Sequence, residues 1–320
     1  MKNLMITGGL GFIGFNFIQY LRKDLKIKDI NFFIFDRMTY ATYTHFDYKW
    51  DYCYEHNIPV IQGNICNEYE INKFIEKYNI DSIINFAAET HVDNSINGPN
   101  IFIETNVLGT TNLLNAANKY NLRFHQISTD EVYGSVDPNN DIVDENFKYN
   151  PSSPYSSSKA SADLIALSYF KTFETKVTIS RCTNNYGLYQ HEEKLIPKVI
   201  HHIKNNISIP VYGNGMQLRN WIHVKDHCDG VWKIFTNGKM GEIYNIGSDT
   251  LITNIQLIKN IIHHLNASED LISFVKDRAA HDFCYHLNCD KIKNELGWKQ
   301  QISFKDGLNE LLNFEKGQEE

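Results

Sequence analysis

The sequence predicts an α/β protein in which a doubly wound parallel sheet fills the first half and a smaller α+β lobe follows. Three observations carry this. Short apolar runs alternate with amphipathic stretches, glycines at 8, 11 and 14 follow the first run, and an acid, Asp36, closes the second. Such alternation needs crossover connections, which leave parallel strands between two helical layers.

The expected strands are, in order, Leu4 to Thr7, Asn31 to Phe35, Val60 to Gln62, Ser82 to Ala87, Phe124 to Thr129 and Val177 to Arg181. Apolar residues at helical spacing predict helices at Ile13 to Leu21, Glu68 to Tyr78, Ile101 to Tyr120 and Tyr155 to Phe173. Beyond Asn184 the rhythm loosens. A helix near Leu195 to Asn205, an extended piece at Ile209 to Tyr212 and the turn Gly213-Asn214-Gly215 are followed by helices around Val224 to Phe235, Asn254 to Leu265 and Phe304 to Phe314, then a polar tail after Gly317. Residues 1–185 are expected to form one domain, with return segments near 218–247, and residues 186–320 the second lobe. No low-complexity linker separates them, so the lobes interleave.

Composition narrows the function. Of 320 residues, 31 are basic and 38 acidic, a net charge of −7, and 42% are hydrophobic. That is ample for a packed core, and the sign disfavours a nucleic-acid partner. No apolar run approaches the roughly 18 residues that cross a bilayer. Met1 to Ile18 has a basic start, but four glycines interrupt it, so it is read as structure and not as a signal. Six cysteines (Cys53, Cys66, Cys182, Cys228, Cys284, Cys289) lack C-x-x-C spacing, which points to a reducing, cytoplasmic setting. His223 and His227 stand at metal-like i, i+4 spacing, but no glutamate follows His223, and no metal is expected.

The segment Thr7-Gly8-Gly9-Leu10-Gly11-Phe12-Ile13-Gly14 reads as strand, glycine turn and helix. Gly8 permits the turn, Gly11 lets a pyrophosphate approach the backbone, Gly14 lets the helix pack closely, and the helix N-terminus favours the phosphate charge. Asp36 lies 22 residues past Gly14, where a carboxylate meets the adenosine ribose. It repels a 2′-phosphate and favours NAD over NADP, with neighbouring Arg37 pulling the other way.

Two further clusters suggest chemistry. Tyr155 and Lys159 fall one turn apart on a helix, where an ammonium and an oxidised nicotinamide would stabilise a phenolate. Ser128-Thr129-Asp130-Glu131-Val132-Tyr133-Gly134 follows an apolar run, and so belongs at a strand's carboxyl end, where doubly wound sheets place their crevice. Thr129 can bond a substrate hydroxyl or the tyrosine oxygen. Asp130 and Glu131 share a pocket only if the chain turns there.

Taken with Asp36, Thr39-Tyr40-Ala41, Ala87-Ala88-Glu89-Thr90-His91-Val92-Asp93 and Asn184-Asn185-Tyr186-Gly187, these motifs resemble the nucleotide-diphosphate-glucose 4,6-dehydratases, which are extended short-chain dehydrogenases/reductases with a Rossmann-like fold. The resemblance runs to about Asp290. It implies a lyase that oxidises C4 of an NDP-glucose (dTDP or UDP), eliminates water across C5 and C6, and returns the hydride to C6, an entry to rhamnose-type deoxysugars. Thr129, Tyr155 and Lys159 would oxidise, with Asp130 as acid and Glu131 as base.

By the same resemblance NAD is held by Gly8, Gly11, Phe12, Ile13, Gly14, Asp36, Arg37, Thr39, Asn64, Ile65, Ala87, Ala88, Thr90 and Asn106 together with Tyr155 and Lys159. The nucleotide sugar is held by His91, Asp93, Asn184, Lys194, Leu195, Val211, Tyr212, Arg219, Arg278 and His281. A homodimer through the helices at Ile101 to Tyr120 and Tyr155 to Phe173 is implied. Among departures from the family pattern, Asn64 replaces an aspartate near the adenine, and the others cluster near the nucleotide sugar: Asn94 replaces an arginine, Ala279-Ala280 a Pro-Gly, and Phe283 and Cys284 stand where basic residues are common. His223 stands where an aromatic residue is usual. A 4-epimerase or decarboxylase on the same fold is the alternative, against which the Thr129-Asp130-Glu131 triplet argues. A non-catalytic dinucleotide sensor would be expected to lack Tyr155 or Lys159.

Overall fold

Seven parallel strands make the central sheet: β1 (Asn3–Thr7), β2 (Asn31–Asp36), β3 (Val60–Gln62), β4 (Ser82–Asn85), β5 (Arg123–Thr129), β6 (Lys176–Cys182) and, much later in the chain, Ile243–Ile246. The computed structural model describes residues 1–138 and 143–317; the polar tail expected after Gly317 lies outside them. Three short strands separate the sixth and seventh sheet members in sequence: β7 (Asn184–Tyr186), β8 (Ile209–Tyr212) and β9 (Leu218–His223). Ile243–Ile246 is therefore β10, and β11 (Leu251–Thr253) and β12 (Ile272–Val275) follow it.

The sheet order is β10-β6-β5-β4-β1-β2-β3. The direction of winding reverses between β1 and β4, which opens a crevice beyond the carboxyl ends of these strands. Both faces are covered, so β1 and β2 are largely apolar on each, while β5 and β6 also bury polar side chains that pair with one another, His125 with Thr178 and Ser180. Leu4 and Ile6 point into one core with Phe15, Ile18, Val231 and Ile234, while Met5 between them points into another with Ile71, Phe74, Leu113 and Ala166. That is the two-residue period of a strand with a helical layer on each side.

A third core, around Ile196, Val199, Trp221, Leu257, Ile261, Leu308 and Leu312, holds the second lobe. There β11, β9 and β7 form one small sheet, and β12 pairs with β8 in another. Among the described residues no helix is long and apolar enough to cross a membrane.

The structure departs from expectation where the buried face is not apolar. Helix Phe46–Glu55 has no counterpart in the sequence reading, since Lys49 joins Tyr52 and Cys53 on its inner face. Strand β9 buries Arg219 and Asn220, and so did not read as a strand. The single helix expected at Ile101 to Tyr120 is instead Asn100–Phe102, a wider π-type segment Ile103–Gly109, and Thr110–Lys119.

Candidate active site

The glycine turn has space for nothing but glycine at two points. Gly8 adopts φ +64°, and a Cβ there would lie 2.7 Å from the backbone nitrogen of Ala87; one on Gly14 would lie 2.5 Å from the Gly8 carbonyl oxygen. The turn therefore packs against the residues that follow β4, at the reversal of the sheet. Helix Phe12–Gln19 starts from Gly11 with no side chain capping it, so its first N–H groups are offered to an anion. Phe12 and Ile13 are half-buried in its first turn.

Asp36 is buried at the end of β2 and accepts from Leu10 N (3.0 Å), Met38 N (2.8 Å) and Thr42 Oγ1 (3.3 Å). Arg37 points to solvent, and Thr39 begins the short turn Tyr40–Thr42. The Asn64 side-chain oxygen accepts from Cys66 N at 3.0 Å, which leaves it one lone pair, and Ile65 packs against Gly109. Ala87 N donates to Thr7 Oγ1 (3.3 Å), with Ala88 beside it. Asn106 is a strut: its Nδ2 donates to Glu89 O (3.0 Å) and Ser158 Oγ (2.8 Å), and its Oδ1 accepts from Glu89 N (2.9 Å). A cradle closed to any Cβ, uncapped N–H groups and a buried acid with remaining acceptor capacity fit a dinucleotide.

After Thr129 the chain does turn, through the single 3-10 turn Asp130–Tyr133, so the two acids are not splayed as they would be on a strand. Thr129 Oγ1 donates to Asp130 Oδ1 (3.2 Å) and accepts from Glu131 N (3.3 Å). Asp130 is buried, its Oδ2 has no hydrogen-bond partner among the described residues, and burial with Glu131 alongside pushes its carboxyl up to about 8. Glu131 is also raised by burial, against the opposing charges of Arg278, Arg219 and Lys194. Asp130 is therefore a carboxylic acid at neutral pH, beside a second acid that faces three cations.

Tyr155 enters from the first turn of helix Pro154–Phe173. A reciprocal cap fixes that turn: Ser153 Oγ accepts from Ser156 N (3.1 Å) and Ser156 Oγ from Ser153 N (2.9 Å), with Pro154 at the first helical position. The phenol is buried and held well above 10, by burial first and then by Glu131 and Cys182, while a hydrogen bond with Thr129 opposes this. Lys159 Nζ donates to Ile127 O at 2.7 Å, and burial lowers it, Asp163 opposing. Asp163 repeats the four-residue step from Tyr155 and Lys159, and pairs in the core with Arg181 at 2.9 Å. That spacing was visible in the sequence; its Arg181 partner was not.

The second lobe supplies the opposite wall. Lys194 Nζ reaches Thr90 O (3.1 Å) and Oγ1 (3.2 Å), joining the segment after β4 to helix Leu195–Lys204. Asp93 accepts from Tyr212 Oη (3.0 Å) and lies 3.7 Å from Arg278, whose Nε is buried and has no hydrogen-bond partner among the described residues. His281 is 2.6 Å from Asp277, and its ring meets the edge of Tyr212. His91 caps the helix Val92–Asn97 by accepting from Asn94 N (3.3 Å). Asn184 lies in β7 opposite Trp221, and Val211 is buried in β8.

Arg219 is engaged internally: its guanidinium donates to the carbonyls of Leu218 (2.8 Å), Phe283 (3.2 Å) and Asp282 (2.8 Å) and lies over the Tyr285 ring. Tyr285 gave no sequence signal. Phe283 is exposed and Cys284 buried. His227 is fully buried with its imidazole lowered to about 3, and among the described residues no three His, Cys, Asp or Glu side chains converge on a metal position.

The model of the GDP-mannose 4,6 dehydratase family matches residues 5–311. A dTDP-glucose 4,6-dehydratase of Haemophilus influenzae is 38% identical over 98% of this chain and 97% of that protein. A low-salt glycan biosynthesis protein of Haloferax volcanii is 40% identical over 99% of this chain and all of its own. The crystal structure of a Streptomyces venezuelae dTDP-glucose 4,6-dehydratase with NAD and TYD bound is 37% identical, with a TM-score of 0.94 over 99% of this chain and 97% of that one.

Proposed function

Because this chain belongs to the GDP-mannose 4,6 dehydratase family, we propose that it is an NAD-dependent NDP-glucose 4,6-dehydratase, taking dTDP-glucose to the 4-keto-6-deoxy sugar for rhamnose-type deoxysugar synthesis. The observation that carries this reading is the buried Asp130, held protonated to about pH 8 directly beside Glu131. An elimination needs one group to give a proton and another to take one, and neighbouring acids whose environments differ supply both.

Gly8, Gly11, Gly14 and the start of helix Phe12–Gln19 hold the pyrophosphate, and Asp36 the adenosine ribose. When bound, NAD supplies a reversible two-electron oxidation, drawing on C4 and repaying at C6, so no second redox substrate is consumed. Tyr155 Oη takes the C4 hydroxyl proton with Thr129 orienting that hydroxyl. Its phenol becomes a usable base as positive charge gathers beside it, and Lys159 keeps one such charge in the site. The C4 ketone then acidifies the hydrogen on C5, which Glu131 removes while Asp130 gives its proton to the departing C6 hydroxyl. Glu131 afterwards returns a proton to C5.

Lys194 and Arg278 meet the substrate pyrophosphate, and the buried orphan Nε of Arg278 supports that assignment. Arg219, with most of its donors spent on carbonyls, acts through its charge on the two acids. Asn184, Leu195, Val211, Tyr212, His91, Asp93 and His281 line the sugar-nucleotide side.

Residues 1–185 with the return near 218–247 form the NAD-binding domain and residues 186–320 the substrate lobe. Ile103, Leu108, Leu164 and Phe173, each about half exposed on neighbouring helices, support a homodimer. Five buried cysteine thiols suit the cytoplasm.

Incubating the protein with dTDP-glucose and UDP-glucose in parallel, and following the alkali-induced absorbance of a keto sugar, tests the reading. Glu131→Gln should abolish elimination while sparing C4 oxidation. A hexose epimer in place of the keto sugar would overturn it.

A further inference from the structure

Lys49 is fully buried on the inner face of helix Phe46–Glu55, and no step of the reaction uses it. Its Nζ donates to the carbonyls of Leu10 (2.8 Å) and Thr42 (3.4 Å). The same two residues are gripped from their other side by Asp36, which accepts from Leu10 N at 3.0 Å and Thr42 Oγ1 at 3.3 Å. One cation and one anion thus clamp the glycine turn and the turn Tyr40–Thr42 together. An ammonium is costly to bury, and an apolar side chain of similar length would fill the same volume without that cost.

We infer that Lys49 is a positioning residue of the cofactor site: with Asp36 it fixes the backbone of the glycine turn, and it places a positive charge behind a cradle meant for two phosphates. This rests on the NAD reading above. The charged and titratable groups that face it are Asp36 from the end of β2 and His45 at the start of its own helix; Leu10 and Thr42 present carbonyls. Burial lowers the Lys49 ammonium to about 8, with Asp36 opposing, and burial and then Lys49 itself lower His45. The anionic cofactor favours charged Lys49, so NAD affinity declines as pH rises past about 8, with a proton taken up on binding.

The test is calorimetric titration of NAD into the cofactor-free full chain at about pH 7 and about pH 9.5. Wild type should bind roughly tenfold more weakly at the higher pH, and Lys49→Met roughly ten- to a hundredfold more weakly at the lower one with no further pH step. A Lys49→Met variant with the wild-type Kd, or with the wild-type pH step, overturns the inference. Should that variant not fold, a wild-type Kd that is flat across the range overturns it alone. A wild type that binds no NAD at either pH removes the cofactor reading as well, which separates the two failures.

Discussion

The ends of β2 and β5 each carry a buried aspartate, and the protein surrounds the two in opposite ways. Asp36 accepts two backbone N–H groups and a hydroxyl, and Lys49 stands across Leu10 from it. Asp130 has the Thr129 hydroxyl on one oxygen, no hydrogen-bond partner among the described residues on the other, and a second acid as its next residue. The first setting belongs to an acceptor and the second to a proton donor. Residue type is shared and both lie at a strand's carboxyl end, Asp36 as the last residue of β2 and Asp130 as the first after β5; the number of donors the surroundings supply decides between binding and proton transfer.

The largest effect that tests this contrast is expected from Asp130→Asn, which keeps the shape and removes the proton. Single-turnover formation of the keto sugar should slow by about 10²–10⁴-fold, the range of a lost general acid. The pH sign follows from the raised carboxyl. The acid is effective while protonated and Glu131 while ionised, so wild-type elimination should fall as pH rises through about 8, with a separate rising limb at lower pH where the raised Glu131 carboxyl ionises. Asp130→Asn should lose that falling limb. A variant as fast as wild type would break the contrast, and a wild-type rate that climbs through pH 8 would reverse it.

The same contrast explains what could be read in the sequence. The glycine turn and Asp36 lie within one short stretch of chain, and their spacing alone dictates a strand, a turn and a neighbouring strand end. The types of Thr129, Asp130, Glu131, Tyr155 and Lys159 and their motif spacing were equally legible. The roles of Asp130 and Glu131 as acid and base came only with the resemblance, because the groups that set their charge states, Arg219, Arg278 and Lys194 about Glu131, approach from distant parts of the chain. Arg219 illustrates the limit: as an arginine in a polar segment it reads as a phosphate contact, and the three carbonyls and the Tyr285 ring that also engage it gave no signal in the sequence. Helix Phe46–Glu55 was hidden for a related reason, since a lysine that donates to buried carbonyls breaks the apolar stripe by which helices are found.

The nucleotide end of the comparison is sharpened by Gly8→Ala. The positive φ and the Ala87 backbone 2.7 Å from the added carbon oppose the same methyl group, and neither neighbour is a flexible side chain that can move aside. A stability loss of about 2–4 kcal/mol is expected, read by chemical denaturation of the folded chain. NAD binding should weaken with it, because the turn cannot shift away from Ala87 and keep its shape. A variant of unchanged stability would show that the turn tolerates another conformation.

The smallest effect is expected at the start of helix Pro154–Phe173, where Ser153→Ala removes one half of the reciprocal cap. Loss of a helix cap costs about 1 kcal/mol, and Pro154 still presets the first helical φ, so the fold should survive with a modestly lower melting temperature. The informative quantity is the ratio of two losses. Tyr155 and Lys159 lie in the first two turns behind that cap, and Lys159 is anchored separately through Ile127. If fraying reaches only Tyr155, turnover should fall by a few-fold at most while the pH limb set by Asp130 stays in place, since that acid sits in the turn Asp130–Tyr133 that follows β5 and is not part of the helix. Movement of the limb in Ser153→Ala would mean that the two ends of the catalytic crevice are mechanically joined, and that the carboxyl of Asp130 answers to the helix cap as well as to its own burial.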